Sequence, residues 1–174
     1  MKRIALLAGL CLALSGCGGL RPLYGGGAAG PVQSTLAAVE VAPIEGKSGW
    51  LVANALRDRF DTGRGEAVRY RLEIKLDDQI AGLGVRRDDS VARERRTLRA
   101  RYQLIDLSNG AVMVDATAGS DAGIDVVGSE YATIAAENTA LERLAGIVAD
   151  QIVARVARFA QSPATAPGAA GTPQ

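Results

Sequence analysis

Residues 69 to 77 read Arg69-Tyr70-Arg71-Leu72-Glu73-Ile74-Lys75-Leu76-Asp77, an unbroken alternation of charged and apolar or aromatic side chains. Successive side chains of an extended strand point to opposite faces, so this period of two describes a strand with one charged face and one buried face. The scheme repeats downstream, where Leu98, Ala100, Tyr102 and Leu104 share one parity and Arg93, Arg95, Thr97, Arg99 and Arg101 share the other. Asn109-Gly110 then supplies a hairpin signal, and Val112, Val114, Ala116 and Ala118 form the apolar face of a return strand. A sheet built this way has one oily side that must be covered.

The cover lies on either side of the strands in sequence. Upstream, Val52, Leu56 and Phe60 recur every four residues while Arg57, Asp58 and Arg59 point away, which predicts a short amphipathic helix over residues 49 to 61 capped by Ser48. Downstream, Ile134, Leu141, Leu144, Val148, Ile152, Val156 and Phe159 follow three- and four-residue spacing, which predicts a long helix from Ser129 to Gln161. A first strand carrying Ala37, Val39 and Val41 ends at Pro43. The order β, α, β, β, β, α predicts an α+β fold: a two-layer sandwich in which a four-stranded, mainly antiparallel sheet holds two helices on one face.

The termini read differently. Met1-Lys2-Arg3 precedes an apolar or small stretch from Ile4 to Leu14, and Ser15-Gly16-Cys17 follows, the layout of a signal peptide over residues 1–16. That stretch is too short to cross a bilayer core, which takes roughly 20 helical residues. Leu14-Ser15-Gly16-Cys17 resembles the bacterial lipobox, in which the cysteine is acylated and the chain is cut before it. The thiol is the nucleophile that accepts the lipid, and several acyl chains on one residue anchor stably. Gly18, in place of the aspartate that holds many lipoproteins in the inner membrane, points to outer-membrane sorting by the same resemblance. Residues 17–34, rich in glycine and alanine, read as a lipidated tether, residues 35–161 as the folded domain, and residues 162–174, with Pro163, Pro167 and Pro173, as a disordered tail.

Composition removes several functions. The chain has no histidine, which takes away the usual triad base and the commonest metal ligand. Cys11 leaves with the signal peptide and Cys17 is committed to lipid, so no disulfide can form within the chain. Asp77-Asp78 and Asp88-Asp89 read as solvated acids flanking a glycine-bearing loop, and Gly25-Gly26-Gly27 as linker. No cofactor is expected beyond the covalent lipid on Cys17. Of 20 basic residues Lys2 and Arg3 are lost with the signal, leaving 18 against 19 acidic ones, a balance that does not indicate nucleic acid as a partner.

One local imbalance stands out. Seven arginines against Asp88, Asp89 and Glu94 give residues 86 to 101 a net charge of +4, and Arg93, Arg95, Arg99 and Arg101 share a face with Arg96 opposite. Such a row suits phosphate, lipid phosphate or an acidic protein surface, because guanidinium forks grip oxyanions. It equally suits a solvated sheet face of cross-strand salt bridges.

The lipobox, the start Cys17-Gly18-Gly19-Leu20-Arg21-Pro22-Leu23-Tyr24 and the element order together resemble the LptE family of lipopolysaccharide-assembly lipoproteins, particularly the alphaproteobacterial type. The resemblance implies no covalent chemistry. It implies a plug inside the LptD β-barrel that helps the barrel fold and takes part in delivering lipopolysaccharide to the outer leaflet. It also implies lipopolysaccharide binding through basic residues, for which Arg93, Arg95, Arg99 and Arg101 are the matching positions. The glycine-rich run at residues 25–30 and the Pro/Ala tail depart from the family pattern. Two other functions fit the same features: an auxiliary lipoprotein of another envelope lipid-transport complex, and a lipoprotein regulator of a cell-wall enzyme.

Overall fold

The computed structural model describes residues 30–60, 67–85, 91–126 and 128–162. Cys17, the signal peptide, Arg86, Arg87, Asp88, Asp89 and residues 163–174 lie outside them. The elements are α1 (Pro31–Ala37), β1 (Val39–Val41), α2 (Gly46–Phe60), β2 (Tyr70–Val85), β3 (Val91–Asp106), β4 (Val112–Asp125) and α3 (Glu130–Ala160). The strands form one sheet in the order β1-β2-β3-β4; β1 runs parallel to β2, and the other pairs are antiparallel. This is the α+β sandwich that the alternation predicts, with one more helix.

That extra helix, α1, takes in residues 31 to 34, which the sequence assigns to the tether. Pro31 stands at its start, where the missing N–H costs nothing, and Val32 and Leu36 are buried in the core. Seven residues between glycine-rich and strand-like segments carry too little periodicity to be read as a helix. Helix α2 also begins earlier than its predicted Ser48 cap. Gly46 takes a left-handed φ of 79° at its first position, and a Cβ on Gly49 would lie 2.6 Å from the carbonyl oxygen of Ile44, so glycine lets the preceding loop fold onto the helix.

Strands β2 and β3 each run for 16 residues. At about 3.3 Å per residue such strands reach about 50 Å, close to the roughly 46 Å expected of a 31-residue helix. Helix α3 is capped by Ser129, whose hydroxyl accepts a bond from the Ala132 amide. It lies along β3 and β4 and meets both α1 and α2. Leu141, Leu144, Val148, Ile152 and Val156 are buried in one core with Leu72, Leu98, Tyr102 and Leu104 of the sheet and Leu56 and Phe60 of α2. Tyr70 and Phe159 close it with an edge-on ring contact at 5.9 Å.

Two departures have local causes. The β3–β4 connection is longer than the two-residue turn that Asn109-Gly110 signals. Asp106 Oδ1 accepts bonds from the Ser108 amide and hydroxyl, Gly110 is left-handed, and the Gly110 amide bonds the Asp106 carbonyl. Those Ser108 bonds hold the Asp106 carboxyl below the usual carboxylate range. The register then slips: Leu104 faces Val114 but Ile105 faces Val112, and the bulge turns Val112 out to solvent instead of inward. Ile134 of α3, expected inside, is also exposed.

Beside it the inner face of the sheet turns polar. Arg96 grips Asp78 through Nε at 2.9 Å and Nη2 at 2.7 Å, and its Nη1 donates to the Glu137 carbonyl of α3 at 3.1 Å. Asp78 is thus a member of a strand and a partly buried anchor, not a solvated turn acid, and Asp77 also lies within β2. The loop assignment fails because Gly82 and Gly84 are strand residues here. Asp78 in turn holds the guanidinium more firmly protonated than usual.

Replacing Leu144, which is 1% exposed, with alanine is expected to lower unfolding free energy by about 2–5 kcal/mol in urea titrations. Arg96→Met is expected to cost about 2 kcal/mol, less than the roughly 3–5 of a fully buried pair because solvent reaches part of this one. Adding Asp78→Leu should recover most of that loss; two additive losses in the double-mutant cycle would contradict the coupling.

Candidate functional site: the charged face of the sheet

Among the described residues the covering helices leave the other side of the sheet open. On β3 this side presents Arg93, Arg95, Arg99 and Arg101, all exposed, while Leu98, Ala100, Tyr102 and Leu104 between and beyond them are buried. The sequence places the row correctly. What it does not reveal is which residues of the neighbouring strand come opposite the row.

Strand β4 answers three of the four arginines with carboxylates. Arg93 Nε lies 3.0 Å from Asp125, Arg99 Nη2 3.3 Å from both oxygens of Asp121, and Arg101 Nη2 3.3 Å from Asp115. Thr97 and Gln103 bond Asp121 and Asp115 at 2.6 and 2.9 Å. The Thr97 hydroxyl first, with Arg99, lowers the Asp121 pKa, and Gln103 with Arg101 lowers that of Asp115. Arg95 meets no carboxylate among the described residues; its cross-strand neighbours are Ala81 and Gly123.

Strand β2 adds charges of both signs. Arg71 pairs with Glu40 of β1 at 3.6 Å, Asp77 faces Arg99, and Lys75 faces Arg101. Arg69 does not join the row: it precedes β2, bonds Asp106 and lies over the Tyr70 ring. Counted across the sheet, Arg71, Lys75, Arg93, Arg95, Arg99 and Arg101 face Glu40, Glu73, Asp77, Asp115, Asp121 and Asp125. The described face is therefore a lattice of charges of both signs rather than a cationic patch. The local excess in sequence is offset by acids that arrive on another strand.

The ion pairs are open to water. Arg93 and Arg101 side chains keep about two thirds of their exposure, so each fork can exchange its aspartate for another oxyanion without unburying a charge. Arg99 is held more closely, with its aliphatic stem across Gly119: a Cβ there would lie 2.5 Å from Arg99 Cδ. Shallow hollows between Lys75, Arg99 and Arg101, and between Pro43, Glu73 and Gln103, interrupt the face. Among the described residues no cluster of carboxylates or thiols has the form of a metal site, and no helix is long and apolar enough to cross a membrane.

Comparison with known proteins agrees with this architecture. The sequence profile of the LptE family, described as lipopolysaccharide-assembly, matches residues 36–156. A candidate lipoprotein of Caulobacter crescentus superposes with a TM-score of 0.63 at 28% identity, over 75% of this chain and 95% of that one. Lipoprotein B of Nitrosomonas europaea gives 0.55 at 13% identity, over 71% and 83% of the two chains. A minor lipoprotein of Acinetobacter baumannii gives 0.53 at 13%, over 69% and 88%. No curated protein matches the sequence. With the profile spanning most of the folded domain, from the end of α1 into the last turns of α3, the chain belongs to the LptE lipopolysaccharide-assembly family.

Proposed function

We propose that this protein is an outer-membrane lipoprotein, cut after residue 16 and anchored through acylated Cys17, that occupies the lumen of an LptD-type β-barrel and helps deliver lipopolysaccharide to the outer leaflet. It carries out no covalent chemistry and needs no cofactor besides its lipid. The observation that carries this reading is the exposed lattice of charge on the uncovered sheet face. The interior of an outer-membrane barrel is polar, and a plug must meet it with a polar surface. A lattice of both signs does so without the repulsion that a purely cationic face would suffer.

Within the lattice, Arg93, Arg95, Arg99 and Arg101 are the residues assigned to lipopolysaccharide phosphate or to carboxylates of the barrel wall. Their planar forks suit either oxyanion, and the aspartate partners of Arg93, Arg99 and Arg101 are solvent-exposed and replaceable.

A detergent pull-down of the wild type and of the variant with all four arginines changed to alanine tests both halves. A large barrel should co-elute with the wild type, together with lipopolysaccharide. Barrel retained and lipid lost in the variant assigns the row to lipid phosphate; both lost assigns it to the barrel. A wild type that brings down no barrel overturns the plug reading, and a variant that keeps both overturns the assignment of the arginines.

A further inference from the structure

The sheet has a second unpartnered feature at its edge. Among the described residues strand β4 pairs with β3 on one side only, and at Gly119 its open side is occupied by a side chain: the Gly119 amide donates to Gln151 Oε1 at 3.0 Å, and Gln151 Nε2 donates to the Gly119 carbonyl at 3.3 Å. The amide of Gln151 thus imitates one residue of a neighbouring strand. In an antiparallel ladder, residues turn their N–H and C=O alternately to the two sides, so Thr117 and Asp115 also present theirs to the open edge.

Helix α3 runs past that edge in the opposite direction. One turn beyond Gln151 comes Arg155, and Arg158 follows; both line a groove of about 320 Å³ with Met113, Val114, Asp115 and Phe159. Neither guanidinium meets a carboxylate among the described residues, whereas seven other arginines do. Arg158 Nε bonds the Ala154 carbonyl and stands in the last turn, where a cation also offsets the helix dipole. Among the described residues the two guanidiniums of the groove thus keep a net positive charge. Asp115 does not compensate it, because its carboxylate is engaged on the other face by Arg101 and Gln103.

We propose that the β4 edge at Asp115 and Thr117, together with Arg155 and Arg158, is a strand-addition site for an extended acidic segment of a partner protein. The backbone of the added strand pairs with the free edge, and alternate side chains turn under α3, where carboxylates at every second position meet the two guanidiniums. Gln151 ends the site by occupying Gly119. A lipid headgroup could use the arginines but has no use for the paired backbone groups, so the edge favours a peptide. The site is separate from the arginine face, and its failure leaves the reading above untouched.

The test uses the full chain in detergent and two blocked octapeptides, one alternating aspartate with valine and one alternating lysine with valine. The aspartate peptide should slow hydrogen exchange at the Asp115 and Thr117 amides by about tenfold or more at saturation, and the lysine peptide should not. In R155E/R158E, two exposed positions, the preference should reverse. Absence of protection with millimolar aspartate peptide overturns the proposal, as does equal protection by both peptides. Phosphatidylglycerol vesicles supply the remaining arm. Binding to them that needs Arg155 and Arg158, in a protein whose edge amides the aspartate peptide leaves unprotected, assigns the pair to lipid phosphate instead.

Discussion

The fold depends on the seam between α3 and the inner face of the sheet. Three long strands that alternate over most of their length share an apolar side that runs as far as Asp78 and Arg96, and among the described residues no other element is long enough to cover it. A 31-residue helix with Leu141, Leu144, Val148, Ile152 and Val156 fully or almost fully buried supplies that cover. Each such side chain contributes about 1.5–3 kcal/mol on burial, so the seam outweighs any polar contact in the molecule. Helices α1 and α2 both lean on α3, and α2 also leans on the short strand β1, so their placement follows from that of α3. Where the apolar stripe of α3 fades, before Ala140, the Asp78–Arg96 fork and the Glu137 carbonyl take over and keep the far end of the hairpin docked.

One-sided coverage has a functional consequence. The face turned away from the helices holds its charges at the surface, paired across strands by single, solvated contacts. Exposed pairs of this kind contribute little to stability. Contact with another charged surface can therefore rearrange these pairs without loosening the core. The packing that stabilises the fold and the row of open charges lie on opposite sides of one sheet.

Much of this was legible in the residues. The alternation at 69 to 77 and at 93 to 104 identified the buried parity of β2 and β3, and Ser129 marked the start of α3 correctly. The arginine row was assigned to the open face. Its electrostatic character was not, because Asp115, Asp121 and Asp125 stand far from it in sequence and come opposite only through the β3–β4 register. The nearby glycines make Asp77-Asp78 read as solvated acids beside a loop, although the strand continues to Val85. The displacement of Val112 depends on a one-residue bulge, a choice made by the Asp106–Ser108 turn rather than by any hydrophobic pattern. Helix α1 was hidden by its brevity: its stability comes from burying Val32 and Leu36 against the rest of the core.

The central claim is that this chain serves lipopolysaccharide assembly at the outer membrane. It is tested most directly by depleting the protein in its host bacterium and measuring newly made lipopolysaccharide at the cell surface. The account predicts that surface lipopolysaccharide falls and that the lipid accumulates behind the outer membrane while peptidoglycan synthesis continues. Unchanged delivery to the surface with disturbed peptidoglycan would contradict it.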